Sequence, residues 1–185
     1  MERRDAYGGM SNELHIRRVN ALELEQVLPA LSNILVDCVD GGASVGFMQP
    51  MTVEKANDFW RVVADGVASG ERTVLVAADD SGHVLGTVQL VNGKPENQPH
   101  RADVVKMLVH SSARRRGIAM RLMRALEDEA RRIGRTVLVL DTVTGSAAER
   151  VYLRAGWQRV GDIPEYALMP DGARCSTTFF CKVLD

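Results

Sequence analysis

The sequence contains no apolar run approaching the roughly 20 residues that a membrane-spanning helix requires, so a membrane protein is not expected. Its first residues, MERRDAYGGMSNE, carry charges with no apolar stretch behind them and do not read as a signal peptide. Cysteine is scarce. Cys38, Cys175 and Cys181 are odd in number and none sits in a C-x-x-C arrangement. They cannot all pair within the chain, and the expected setting is reduced and cytoplasmic with no structural zinc. No His/Cys/Asp cluster has metal-ligand spacing, so no metal is expected. Two nucleotide-binding motifs are missing as well. Without G-x-x-x-x-G-K-[ST] there is no Walker-type phosphate loop, and without G-x-G-x-x-G there is no Rossmann fingerprint. Lysine is rare, 4 residues against 19 arginines.

What remains is ordinary for a globular chain: 185 residues, 45% apolar and 25% charged, long enough for one well-buried core. The net charge is only −1, which does not indicate a general nucleic-acid binder. The charge is uneven, however. Between Arg101 and Arg135, nine Arg and one Lys face four acids, a local excess of +6. A site for a small polyanion fits this better than a nucleic-acid surface, because half of these charges lie on a helix whose other face must enter the core.

Residues 1–12 are polar and expected as a flexible tail, with one domain over residues 13–185. Period-2 alternation marks a strand at Leu14–Val19. Asn20 caps a helix from Ala21 to about Val39, with Pro29 as a place for a kink. A Gly-rich loop, Gly41–Met48, separates it from a helix from Thr52 to about Ser69. Strands follow at Thr73–Ala78 and Val84–Val91, joined by Asp79-Asp80-Ser81-Gly82, and then at Ala102–Val109. The strongest amphipathic helix runs from Gly117 to Ile133. A strand at Thr136–Leu140, a helix at Ser146–Ala155 and strands at Trp157–Val160 and Thr177–Leu184 complete the order. The expected fold class is α/β, a single mixed and mostly antiparallel sheet with helices on both faces.

The most informative stretch is Met107-Leu108-Val109-His110-Ser111-Ser112-Ala113-Arg114-Arg115-Arg116-Gly117-Ile118-Ala119, a strand, a short loop and a helix start. The first turn of a helix has N–H groups without intrahelical partners, and the helix dipole adds positive potential, so an anion fits there. The alternative is a solvated basic helix start with a glycine in a tight turn.

Arg114-Arg115-Arg116-Gly117-Ile118-Ala119 resembles the [Gln/Arg]-x-x-Gly-x-[Gly/Ala] signature of the Gcn5-related N-acetyltransferases, and the later Tyr152-x-x-x-Gly156-Trp157 falls in the matching order. The resemblance covers about residues 14–184. It implies that Arg114, Arg115, Arg116, Gly117, Ile118 and Ala119 hold the pyrophosphate of acetyl-CoA, and that Met107, Leu108 and Val109 pair with its pantetheine arm. Gly41–Met48, Leu140-Asp141-Thr142 and Pro170-Asp171-Gly172 further resemble members that acetylate a β-lactam amino-acid toxin.

Acyl transfer from a thioester to an amine needs a proton acceptor for the amine and a proton donor for the departing thiolate. The resemblance gives Tyr152 the donor role; read by itself it is a half-buried helix tyrosine. Asp103 matches the acidic position on the family's fourth strand, a general base acting directly or through water. Alternation puts it on the same strand face as Val105, Met107 and Val109. The competing reading pairs Asp103 with Arg101. In the loop, Gly41, Gly42, Ser44 and Phe47 are expected on the acceptor side; otherwise they form a plain interhelical connection. Trp60 and Trp157 read as core, and the cysteines as packing residues with no base arranged to ionise them.

The expected function is therefore acetyl transfer from acetyl-CoA to a primary amine of a small molecule, amino-acid-like or toxin-like, by direct attack in a ternary complex. Protein or peptide N-acetylation and a non-catalytic acyl-CoA sensor are the alternatives. No nucleic-acid or membrane partner is expected, and a homodimer is compatible with the sequence.

Overall fold

The computed structural model describes residues 13–185; the tail expected over residues 1–12 lies outside them. Asn20 opens the first helix as the alternation of the preceding strand implies. Its side chain accepts from the Glu23 N–H while the Glu23 carboxylate accepts from the Asn20 N–H, a reciprocal cap. The elements are β1 (Leu14–Val19), α1 (Ala21–Asp40), α2 (Val53–Ala68), β2 (Arg72–Asp79), β3 (Val84–Asn92), β4 (Arg101–Val109), α3 (Ile118–Arg132), β5 (Val137–Val143), α4 (Ala147–Arg154), β6 (Gln158–Leu168) and β7 (Arg174–Val183). A 3-10 turn, Ser111–Ala113, precedes α3. Helix α1 runs through Pro29 without interruption. Pro29 is exposed, so water can reach the carbonyl that its missing N–H leaves unpartnered.

The seven strands form one sheet in the order β1-β2-β3-β4-β5-β7-β6. Every neighbouring pair is antiparallel except β4 and β5. One face packs on α1 and α2 through Leu24, Leu31, Leu35, Trp60, Val74 and Val76. The other packs on α3 through Leu75, Val88, Val104, Leu122, Leu126 and Leu138, and Tyr152 of α4 joins that side. Burying a side chain of this size contributes about 1.5–3 kcal/mol, and Trp60, Leu24, Leu122 and Leu126 reach 0% exposure. Trp157 is core as expected, its indole N–H donating to buried Glu127.

The structure departs from the sequence expectation at two places that shape the site. First, β6 and β7 are longer than expected and form an edge hairpin closed around Pro170-Asp171-Gly172. Pro164 lies inside β6 and is tolerated because β6 is the last strand of the sheet and carries a bulge between Ile163 and Ala167. Second, β4 is bulged. Thr87 stands opposite Leu108 but Gln89 opposite Val105, so β4 carries one extra residue, and Lys106 has φ 54°. The extra residue inverts the alternation. Met107 and Val109 join the α3 side whereas Leu108 turns towards α1. The shared face expected for Asp103, Met107 and Val109 is therefore incorrect: Asp103 and Val105 lie on the α1/α2 side.

Candidate active site

The parallel pairing of β4 with β5 covers only Arg101–Asp103 against Val137–Val139. Past that point β4 from Val105 to Val109 has no hydrogen-bonded neighbour on its β5 side, and a cleft of about 270 Å³ opens between the two strands. Val91, Asp103, Val105, Val139, Asp141 and Phe179 are among its walls. The bulge at Lys106, which interrupts the ladder to β3, falls in this same stretch of β4.

Asp103 and Asp141 face each other across this cleft. Arg101 Nη1 donates to Asp103 Oδ1 at 2.5 Å, so the arginine pairing considered from the sequence is formed. Asp103 Oδ2 receives no hydrogen bond from a described residue. Burial pushes the Asp141 carboxyl above the usual carboxylate range, and the charge of Asp103 adds to this, although Lys106 pulls the other way. Desolvation lowers the Lys106 ammonium in turn; Asp141 opposes the shift and Arg72 reinforces it.

Tyr152 is 6% exposed, with its ring between Trp157 and Phe180 at centroid distances of 6.2 and 5.9 Å. Its phenol is pushed up to about 12 by burial first and by the charge of Asp141 second. It therefore stays protonated across the working range of any ordinary enzyme. The hydroxyl makes no hydrogen bond with a described residue. Helix α4 owes its place to Ser146, which caps it by accepting from the Glu149 N–H.

At the start of α3, Arg115 has φ 63° and Gly117 has φ 76°. These left-handed residues turn the chain so that the backbone N–H groups of residues 115–120 donate to no acceptor among the described residues. Six free donors at the positive end of a 15-residue helix make an anion cradle. The three arginines are not equivalent. Arg114 folds back, donating to the Val109 carbonyl at 3.2 Å and lying 3.9 Å from both Asp37 and Cys38 Sγ. Arg115 and Arg116 are exposed, without an ion pair to a described residue. Ile118 is 2% exposed and turned into the core, so only its backbone can face a ligand. The Arg114 guanidinium lies beside Cys38, yet burial outweighs it and raises the thiol.

Asp37 organises the approach to this cradle. Its two oxygens accept from the Ser111 hydroxyl at 2.6 Å and the Ser111 N–H at 2.7 Å. Burial opposes its ionisation, but these bonds and the charges of His110 and Arg114 outweigh burial and hold the carboxyl below the usual range.

A sequence model described as "Acetyltransferase (GNAT) family" matches residues 33–157, two thirds of the chain. The chain belongs to this family. An uncharacterised N-acetyltransferase from Azospirillum brasilense is 32% identical over 131 residues, 70% of this chain and 75% of its own length. A putative acetyltransferase from Salmonella typhimurium, solved with its cofactor acetyl-CoA, is 20% identical with a TM-score of 0.77, covering 94% of this chain and 95% of its own. A ribosomal-protein-alanine N-acetyltransferase from Brucella melitensis is 25% identical with a TM-score of 0.74, covering 92% and 99%. The GNAT acetyltransferases use acetyl-CoA, and the free donors of residues 115–120 and the unpaired edge of β4 fit such a molecule.

The structure separates the acceptor-loop residues expected from the sequence. Ser44 Oγ donates to the Leu168 carbonyl at 2.9 Å, and the Gln49 N–H donates to the Pro170 carbonyl at 3.0 Å, so the loop is tied to the β6–β7 hairpin. Phe47 packs edge-on against Phe59 at 5.2 Å, and Lys106 Nζ lies 5.6 Å from both ring centroids. Gly41 caps α1 and Gly42 has φ 82° with open space around it; both shape the loop rather than line the cleft. Lys106 was not singled out by sequence, and Asp141 stands there only within the Leu140-Asp141-Thr142 resemblance, with no role attached; the bulge and the strand divergence place them on the same side of the cleft.

Proposed function

We propose that this GNAT acetyltransferase acetylates a primary amine of a small, amino-acid-like molecule by direct attack in a ternary complex. The supporting observation is the pair of hydrogen bonds from Ser44 and Gln49 to the β6–β7 hairpin. They close the side of the molecule at which a peptide chain needs an open groove, and they leave a cleft of small-molecule size. The resemblance of Gly41–Met48, Leu140-Asp141-Thr142 and Pro170-Asp171-Gly172 to members that acetylate a β-lactam amino-acid toxin makes an amino-acid toxin or antibiotic one acceptor within this class. A cytoplasmic setting completes the proposal. The three thiols are free, and no helix of the described residues is long and apolar enough to cross a membrane.

Under this reading the N–H groups of residues 115–120 hold the pyrophosphate, Arg115 and Arg116 draw it in, and Met107 to Val109 hold the pantetheine arm. Bound acetyl-CoA supplies an activated thioester. Asp103 and Asp141 flank the amine, and one of them takes its proton directly or through water. Asp141, whose carboxyl burial raises above the usual carboxylate range, is the better matched base, while one oxygen of Asp103 is already engaged by Arg101. The free amine adds to the thioester carbonyl, the new C–N bond forms and the C–S bond breaks. Tyr152, neutral and buried, gives its proton to the sulfur. No cysteine needs to carry the acetyl group, and Cys38 has its thiol raised.

The test is a panel of free amino acids, amino-acid analogues and simple amines, read by thiol release and product mass. The expected result is an N-acetylated small amine. Release only with peptides overturns the acceptor class, and cofactor binding without release on any amine turns the protein into a sensor.

A further inference from the structure

Lys106 takes no part in the acyl-transfer steps. It occupies the bulge of β4 with φ 54°, and its half-buried ammonium lies 5.6 Å from the ring centres of Phe47 and Phe59. A Cβ on Gly46 would stand 3.6 Å from Nζ, so the acceptor loop also covers it. Among the described residues it makes no ion pair; Asp141 attracts it only from a distance, and Arg72 repels it. A cation withdrawn from water without a direct counter-ion is costly.

The neighbouring strand adds a second unused donor. Gln89 is 0% exposed and stands opposite Val105, one residue before the bulge. Arg72 Nη1 donates to Gln89 Oε1 at 3.2 Å, which leaves the amide nitrogen as the remaining group, and Gln89 Nε2 has no partner. Arg72 itself is seated against Gly66 of α2, where a Cβ would fall 2.6 Å from Nε, so it is a fixed support for the glutamine. An unpaired ammonium and an unpaired buried amide donor therefore lie on the same acceptor side of the sheet as Asp103 and Asp141. The ammonium lacks a counter-ion among the described residues and the amide lacks an acceptor, and a carboxylate is a group that answers both needs.

We propose that Lys106, supported by Gln89, receives the carboxylate of the acceptor, so that the substrates are amines bearing a carboxylate near the reacting nitrogen: α-amino acids and their analogues. This rests on the small-amine reading and names its substrate class. Phe47 and Phe59 hold the Lys106 side chain, and Asp103 and Asp141 receive the ammonium end of the same molecule. Opposite charges at the two ends select both the class of acceptor and its direction of entry.

The experiment compares each amino acid with the amine left by removing its carboxylate: phenylalanine with phenethylamine, histidine with histamine. The readout is the ratio of kcat/KM within each pair, by thiol release. The wild type favours the amino acid. Lys106→Met should lower that preference by about tenfold or more, through KM for the amino acid, and Lys106→Arg should restore part of it. A ratio left unchanged in Lys106→Met, with both amines slowed alike, overturns the carboxylate role and makes Lys106 a base or a packing residue. Should Lys106→Met fail to fold, phenylpropionate, which keeps the carboxylate but has no amine, must inhibit the wild type competitively against phenylalanine. Absence of inhibition overturns the proposal. Wild-type turnover of both members of every pair without preference overturns only the carboxylate anchor, whereas no turnover of any of them overturns the small-amine reading with it.

Discussion

Gly117 gives the sharpest handle on the cofactor side. Its φ of 76° is left-handed, and a Cβ built on it meets nothing within 4 Å. A side chain there clashes with no protein atom, so the whole penalty is conformational. An L-residue other than Gly pays roughly 1–2 kcal/mol for this region, and Asn pays less. The loop is exposed on its outer side, so a substituted residue can relax to negative φ in the free protein and must be returned to the left-handed form when the ligand binds. That cost appears in affinity: 1–2 kcal/mol corresponds to about 5–30-fold. Gly117→Ala is expected to weaken acetyl-CoA binding by that factor, Gly117→Asn by less and Gly117→Val by more, with thermal midpoints close to the wild type. Calorimetric titration of the four proteins with acetyl-CoA decides it. Equal affinities across the series, with the penalty appearing as lowered midpoints instead, would show that the loop is locked without ligand and refute the reasoning.

Four further variants probe the site and the core. Tyr152→Phe removes one oxygen from a packed ring and should lower kcat by about 10²–10⁴-fold with the acetyl-CoA KM little changed. Because the wild-type phenol is held at about 12, the wild type should also lose stability as pH rises from about 10 towards 12, where the unfolded chain ionises first, and the variant should lose less; melts across that range check the sign. Asp141→Asn should slow acetylation most at low pH while making the protein more stable near neutral pH. The raised carboxyl costs stability once it ionises, so this gain should vanish as pH falls below about 4. Ser44→Ala cuts the tie to Leu168 and should raise KM for the amine more than KM for acetyl-CoA in steady-state kinetics. Lys182→Met strips the buried Glu127 carboxylate of its ion-pair partner and leaves it only the Trp157 indole N–H. Lys182 Nζ donates to both Glu127 oxygens at 2.7 and 2.8 Å, and denaturant unfolding should show a loss of about 3 kcal/mol.

Much of the frame is legible in the sequence because local and global signals agree. The Asn20 cap, the apolar stripe of α3 and the turn at Asp79–Gly82 each mark an element that the structure forms. The glycine of the Arg114–Ala119 signature is left-handed for the reason its residue type implies. The bulge is different. Lys106 sits in a run of strand-forming residues, and nothing in that run announces an extra position, so simple alternation carries Met107 and Val109 to the wrong face. The same feature hides the site. Asp141 lies just past the strand expected at Thr136–Leu140; the structure extends β5 to Val143, and the divergence of β4 and β5 leaves Asp141 in the cleft with Asp103. The exposed apolar residues of β6, such as Val160 and Tyr166, mask the alternation that would have revealed its full length. The role of Ser44 as a tie to Leu168 spans 124 positions and has no local signal at all.

The central claim is that this GNAT acetyltransferase acts on free small amines bearing a carboxylate. The most direct measurement is the ratio of kcat/KM for a free amino acid to that for a peptide carrying the same residue at its N-terminus, both followed by thiol release from acetyl-CoA. The account predicts a ratio well above one, because under the proposed reading the loop that Ser44 and Gln49 tie to the β6–β7 hairpin leaves no path for the rest of a peptide. A ratio below one, with acetylated peptide as the product, would contradict it.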